Sequence, residues 1–320
     1  MTRSGLYCPA GDFYIDPNRR VEKAVITHAH SDHARRGMGE YFCSKSGEQL
    51  LRIRVGQKAN FKALAFGEEI RIGKAIVSLH PAGHILGSAQ VRISYGGRVA
   101  VVTGDFNVRD RHDAAEPFEL VECDLMVTES TFGLPVYRWP DPKEVIDDMN
   151  GWWQANRDRG RVTVLPCYPL GKTQRILTGL DPANGPISVV GAGRDFLRYY
   201  EEAGVRFPPV IDFVEDTVPV LKEGGFLIVS AAAEPSALLS SLGPIAYGAV
   251  SGWLQVRKMR MGRIFERGFV LSDHADWDGL LHCVEASGAR RVAVTHGQTE
   301  VFARYLREVL DIDAFAMTEH

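Results

Sequence analysis

The sequence predicts an α/β protein in which a strand-rich first part is interrupted by a parallel, doubly wound block and then resumes. Two observations carry this. From Tyr7 to about Glu129, short apolar runs such as AIVSLH, VRISYGGRVAVVTGD and DLMVTES alternate with Gly and Asp turns, the pattern of strands with few helices. From about Asp141 the period changes, and strands begin to alternate with helices, which implies a parallel layer covered on both faces.

Taken in order, PKEVIDDMNGWWQANRDRG reads as a helix, RVTVLP as a strand, LGKTQRILTGL as a helix and PISVVGA as a strand. RDFLRYYEEAG is again helical, and GGFLIVS and GPIAYGAVSG are strands. After about Gly268, the segment FVLSDHADWDGLLHCVEASGARRVAVTHGQTEVFARYL reads as strand, helix, strand and helix. No repeats, low-complexity tracts or flexible linkers mark the joins, so the middle block is inserted rather than tethered.

At 320 residues, 45% hydrophobic and 24% charged, the chain has the balance of one large or two ordinary globular domains. Its five cysteines, Cys8, Cys43, Cys123, Cys167 and Cys283, are scattered and contain no C-x-x-C pair, so neither a disulfide framework nor a zinc ribbon is indicated. A reducing cytoplasm fits this usage, and the absence of an apolar signal core or long apolar run predicts a soluble protein that is not exported. A net charge of -3 does not advertise a nucleic-acid binder. The richest basic run is QVRKMRMGRIFERG, where Arg257, Lys258, Arg260, Arg263 and Arg267 face one acid, Glu266; such runs are commonly no more than a solvated face.

Two partial motifs are rejected. LPCYPLGKTQ ends like a phosphate-binding loop but carries Pro166 where the first glycine must stand, and GAGRDF starts like a dinucleotide fingerprint but has Phe196 at its third glycine.

The densest chemistry lies in THAHSDH, Thr27 to His33, with three of the chain's 10 histidines and an aspartate in seven residues. Any one of them is ordinarily a half-buried imidazole, but together they read as a metal site at the carboxyl end of the strand Ala24-Val25-Ile26-Thr27. In extended backbone His28 and His30 share a side and can chelate one ion, while Asp32 and His33, entering a predicted helix over residues 32–36, reach a neighbouring ion. Further donors stand just past strands: His84 in PAGHILGSAQ, Asp105 in VVTGDF and His296 in VAVTHGQ. His80, His112, His282 and His320 have no such context and are read as structural.

This set resembles the metallo-β-lactamase-fold β-CASP nuclease family, and within it the bacterial ligase-associated DNA exonucleases of the Artemis-like branch. The resemblance rests on FYIDP with Asp16, THAHSDH, PAGHILGSAQ, TGDF, TEST with Glu129, SDHAD with His274 and VTHG with His296, in family order from Phe13 to Gly297. It implies a metallo-β-lactamase αββα sandwich over 1–144 and 269–320, with an inserted β-CASP domain of parallel α/β type over 145–268. It implies two divalent ions, Zn2+ or Mn2+, the first held by His28, His30 and His84 and the second by Asp32, His33 and His296, with Asp105 as the bridge and Asp16 orienting the ligand loop. Asp32, Asp105, Glu129 and His274 form the implied catalytic set, His274 as general acid held by Glu129. The other account of His274, a cap on the helix after it, competes with Asp273 and Ser272, which are better capping residues.

In the family the inserted domain grips nucleic acid, and small-molecule hydrolases of the fold lack it. Here CYPLGKTQRIL and AVSGW resemble the pieces of a phosphate pocket, which puts Tyr168, Lys172, Thr173 and Ser251 forward as substrate-binding residues. Gly171 to Gln174 would open a helix whose N–H groups attract an anion, or Gly171 is simply a turn residue. The resemblance implies cleavage of single-stranded DNA or DNA ends, including ends with a 5′-phosphate, in repair, alongside a DNA ligase and a helicase. The alternatives are an RNA-processing nuclease with the same metal core, a thioesterase or lactamase, and a scaffold that binds without cutting. The last predicts missing ligands, and none is missing.

Overall fold

The computed structural model describes residues 2–108, 114–230, 237–257 and 265–317. Its contacts divide into two compact units, Met1–Pro135 with Asp273–His320, and Val136–Ser272.

The first unit contains two sheets. One runs in sequence order through Leu6–Cys8, Phe13–Ile15, Lys23–Val25, Glu40–Ser44 and Phe61–Leu64, antiparallel in its first pair and parallel thereafter. The other starts as an antiparallel meander, Ile70–Ile72, Ala75–Pro81, Ala89–Tyr95 and Arg98–Val102. It continues through the parallel strands Leu125–Ser130, Arg291–Gly297 and Asp313–Ala316. Residues brought back by the chain after the insertion therefore complete a sheet begun before it.

Period-2 alternation explains the layering. Phe13, Ile15, Val25, Phe42 and Leu64 of the first sheet and Val77, Leu79, Val91, Val102 and Val127 of the second share one buried cluster. The other face of the second sheet, through Val101, Met126, Val292 and Val294, buries Trp277, Leu280, Phe302 and Leu306 of the helices Trp277–Ala286 and Thr299–Leu310. An aromatic ring such as Trp277 removes roughly 150–250 Å² from water, on the order of 4–6 kcal/mol of hydrophobic free energy before the entropy of fixing it. The helix Glu48–Val55 accompanies the first sheet, with Leu50, Leu51 and Val55 buried and Arg52 over the Phe61 ring.

The second unit is a six-stranded parallel sheet in the order Val210–Ile211, Ile187–Val190, Phe226–Ser230, Val162–Cys167, Ile245–Val250 and Arg267–Phe269. Helices Pro142–Arg157, Lys172–Gly179 and Ala192–Glu202 bury Met149, Trp153, Ile176, Leu177 and Leu197 on one face. Val218, Leu221, Leu239 and Leu242 cover the other. Burial on both faces is why these strands read as continuous Val, Ile and Leu runs. The first helix begins where Asp141 accepts from Lys143 N at 2.7 Å and Pro142 needs no partner for its missing N–H.

The fold is thus α/β, a metallo-β-lactamase αββα sandwich with an inserted β-CASP domain of parallel α/β type. The strands Val210–Ile211 and Asp313–Ala316 are short edge strands of two and four residues, too brief to leave a periodic signal in the sequence. His112, His320, Lys258, Arg260 and Arg263 lie outside the described residues. Among the described residues no helix is long and apolar enough to cross a membrane.

Candidate metal centre

Each donor is delivered by the end of a strand or the loop after it, all within the first unit. His28 and His30 follow Lys23–Val25, His84 stands between Ala75–Pro81 and Ala89–Tyr95, and Asp105 follows Arg98–Val102. Two glycines let these loops close. Gly104 has φ 58°, and a Cβ there would lie 2.8 Å from Thr27 Cβ. Gly83, at φ 73°, has Asn107 O where its Cβ would be, at 2.3 Å.

The loops converge on one carboxylate oxygen. Asp105 Oδ2 lies 3.5 Å from His28 Nε2, 3.4 Å from His33 Nε2, 3.7 Å from His84 Nε2 and 4.0 Å from His274 Nδ1. Ligand atoms of His28, His30, His84 and Asp105, all buried, fall within 4.8 Å of one another, and so do those of Asp105, Glu129 and His274.

Hydrogen bonding fixes which ring nitrogen is left to bind. Thr27 donates its hydroxyl proton to Asp16 Oδ2 at 2.6 Å, so Thr27 Oγ1 accepts from His28 Nδ1 at 3.0 Å and a lone pair is left on His28 Nε2. That Nε2 is buried and makes no hydrogen bond. His84 Nδ1 donates to the carbonyl of Asp273 at 2.8 Å, and His33 Nδ1 donates to Asp16 Oδ2 at 2.7 Å, which turns Nε2 of each ring inward, His84 Nε2 to His30 Nδ1 at 3.1 Å and His33 Nε2 to Asp105 Oδ2 at 3.4 Å. Asp16 also accepts from Thr27 N at 2.8 Å, so one carboxylate, itself at φ 43°, pins both ends of the histidine loop. A buried lone pair without a proton to accept, among three further donors, fits a divalent cation.

The electrostatics match the first ligand set and differ at His33. Burial, reinforced by neighbouring imidazoles, holds His28 and His84 well below the usual histidine range, so both are neutral as ligands must be. Burial would push Asp105 up, but His33 and His274 beside it outweigh that and keep its carboxyl well below the usual range. His33 goes the other way: burial lowers it, and Asp105 and Asp16 more than offset this.

Asp32, His33 and His296 form a looser set. They line a common cavity of about 310 Å³ with Asp16, the His33 and His296 ring centroids 5.4 Å apart and Asp32 Oδ2 3.6 Å from His33 Nε2. His296 sits at a register shift between Arg291–Gly297 and Leu125–Ser130, where Glu129 pairs with Thr295 and Ser130 with Gly297. The extra residue at φ 52° re-aims the side chain, a common use of a bulge. The helix expected over residues 32–36 is absent; the segment is a turn closed by Ala34 N to His30 O at 2.9 Å. One turn followed by Gly37 at φ 92° cannot offset the cost of nucleating a helix.

Glu129 is buried and receives Phe106 N at 2.9 Å and Thr131 Oγ1 at 2.5 Å. Both its oxygens engage His274 Nδ1, at 3.0 and 2.9 Å. His274 does not cap the following helix, and neither do Asp273 and Ser272: Asp276 does, accepting from Gly279 N at 2.9 Å. The sequence gives no hint of two other contributors, the Asp273 carbonyl on His84 and Arg54, whose Nε holds Ala29 O at 3.1 Å between two ligands.

In the inserted unit Tyr168 is exposed, and Lys172 is the first residue of Lys172–Gly179 behind Gly171 at φ 92°. Gln174 Oε1 takes Gly171 N at 2.7 Å. Thr173 is buried, its hydroxyl donating to Tyr168 O at 2.9 Å, and Ser251 Oγ accepts from Trp253 N at 3.2 Å.

No family profile matches the chain. It is 33% identical to a probable DNA ligase from Opitutus terrae over an alignment of 321 positions that covers 98% of the chain. It is 32% identical over 132 residues, 41% of the chain, to RNase aCSPSF2 of Saccharolobus solfataricus, and 26% identical over 181 residues, 55% of the chain, to cleavage and polyadenylation specificity factor 73 of Drosophila melanogaster. The chain spans only 30%, 26% and 26% of the lengths of these three relatives. A crystal structure of a protein of unknown function from Enterococcus faecalis superposes with a TM-score of 0.62 at 14% identity, covering 93% of this chain and 79% of that one, which defines the shared fold. With the motifs and the relatives, the membership is narrower: the chain belongs to the metallo-β-lactamase-fold β-CASP nuclease family.

Proposed function

We propose that the chain is a two-metal phosphodiesterase that degrades DNA, an exonuclease on single strands or DNA ends acting in repair. The observation that carries the choice of DNA is the 33% identity to a probable DNA ligase over 98% of this chain. Chemistry supports the association, since strand cleavage leaving a 5′-phosphate and a 3′-hydroxyl produces the ends a ligase joins. A second reading, RNA cleavage, is favoured by relatives named as ribonucleases, including an RNase J-like protein of Methanocaldococcus jannaschii at 22% identity over 83% of the chain.

In this reading His28, His30 and His84 would hold one ion and Asp32, His33 and His296 the other, with Asp105 available to either. Histidine-rich donors suit Zn2+, with Mn2+ as the competitor. When bound, two divalent ions supply a more acidic water and charge neutralisation at the phosphoryl oxygens. Asp16 and Thr27 hold the imidazoles in the tautomers that present Nε2. Glu129 accepts a hydrogen bond from Nδ1–H of the His274 imidazolium, so the proton on His274 Nε2 is the one delivered to the departing sugar oxygen, leaving a neutral imidazole. Tyr168, Lys172, Thr173 and Ser251 contribute to a phosphate site at the head of Lys172–Gly179, with Thr173 shaping the turn from inside.

The test is cleavage of matched single-stranded DNA and RNA, each labelled at one end, by metal-stripped protein given back zinc or manganese. DNA degraded with RNA spared supports the proposal, and the label position gives polarity; preferential cutting of RNA overturns it. Lys172→Ala is expected to weaken binding of 5′-phosphorylated ends more than of 5′-hydroxyl ends, by fluorescence titration of the two. Equal loss would reduce Lys172 to a general backbone contact.

A further inference from the structure

A second cavity, of about 510 Å³, lies beside the histidine loop and is lined by Arg19, Arg20, Arg35, Arg36 and Arg54, with no aspartate or glutamate among its lining residues. Asn18 and Arg35 line both this cavity and the one that holds Asp32, His33 and His296, so the two meet at that pair. Like charges gathered without carboxylates repel one another, and a chain of net charge -3 has acids to spare for pairing them. Yet among the described residues none of the five forms an ion pair.

Two of the guanidinium groups are also held in place. Arg36 Nε donates to Arg54 O at 3.1 Å, and Arg54 Nε donates to Ala29 O at 3.1 Å. Each bond uses one of five donors and leaves the Nη pair, the fork that matches phosphate oxygens. Arg19, Arg20, Arg35 and Arg36 are exposed and Arg54 is half-buried.

We infer that this arginine cavity is a track for the phosphate backbone of the nucleic-acid strand, entered from the metal cavity past Asn18 and Arg35. The inference rests on the nuclease reading above and adds where the strand runs on one side of the cleaved bond. Contacts of this kind position a strand without reading its bases, so the track accepts any sequence. It also accounts for nucleic-acid binding by a chain whose net charge is negative, since the field that matters is local.

The test is binding of a single-stranded oligonucleotide, protected from cutting by phosphorothioate linkages that keep its charge, to the full chain across a salt series, read by fluorescence anisotropy. Arg19→Ala/Arg20→Ala/Arg35→Ala removes three exposed guanidinium groups and leaves the Arg54 contact to the histidine loop intact. Losing three phosphate contacts should flatten the slope of log K against log salt by about 2, and weaken binding about tenfold or more at low salt. The corresponding triple lysine variant should restore most of the slope. Unchanged slope and affinity in the alanine variant overturn the track, as does equal loss of binding to polyglutamate, which would mark the cavity as a dock for acidic protein. Failure of the nuclease reading looks different: the unmodified protein then neither binds the strand nor cuts an unprotected one.

Discussion

Replacing His30 with alanine is expected to abolish metal-dependent cleavage and lower the bound metal, while the protein stays folded. His30 is buried with its Nδ1 3.1 Å from His84 Nε2, and its ring centroid lies 4.7 Å from that of His28 and 4.9 Å from that of His84. It is one of four donors clustered within 4.8 Å, so its loss leaves the remaining three with an incomplete set. The loop does not depend on it for shape. Asp16 anchors Thr27 and His33, and Arg54 anchors Ala29, through bonds that the substitution does not touch. The checks are metal content by mass spectrometry, thermal melting, and cleavage of labelled DNA with and without chelator. Undiminished cleavage by the chelated variant would end the metal hypothesis.

How much of this was legible before the fold was known depends on whether a feature is local in sequence. The histidine loop was, because four donors in seven residues leave little else to explain them. His84 and Asp105 were legible more weakly, by their shared place just past a strand. The helix that local propensity suggests over 32–36 does not form, because Gly37 ends the turn and Asp16 holds His33, a partner 17 residues away. The cap falls on Asp276 rather than on Ser272, Asp273 or His274, and next to it Ala275 N bonds Phe106 O at 2.6 Å, a contact spanning the whole insertion in sequence. Charge shows the same limit. The basic run around Arg257 drew the eye, yet within it Arg267 pairs with Asp148 at 2.6 Å and Glu266 is taken by Arg161. The arginines that gather without carboxylates come from positions 19, 20, 35, 36 and 54, too dispersed to look like a patch.

Alanine at His274 is expected to slow cleavage by roughly 10²–10⁴-fold, the usual size of a lost general acid, with the metal content retained. The acid role is favoured over that of a ligand by which nitrogen faces the cluster and what already holds it. A ligand would turn a free nitrogen to the cluster, whereas His274 Nδ1 is engaged by both oxygens of Glu129 and lies 4.0 Å from Asp105 Oδ2, the longest of the four imidazole distances to that atom. Glu129 is in turn fixed by Phe106 N and Thr131 Oγ1, so it orients the ring rather than joining the reaction. The side chain of His274 is 23% exposed against 1% for Glu129, as a group that must meet substrate requires. Substrate binding should therefore change little, and the loss should fall on the rate of the chemical step in single turnovers. His274→Gln sharpens the test, since an amide can still donate to Glu129 but has no proton to give at neutral pH, and it should be as slow as alanine. If metal content falls with activity, His274 is a ligand, and the proton for the departing oxygen must come from another group.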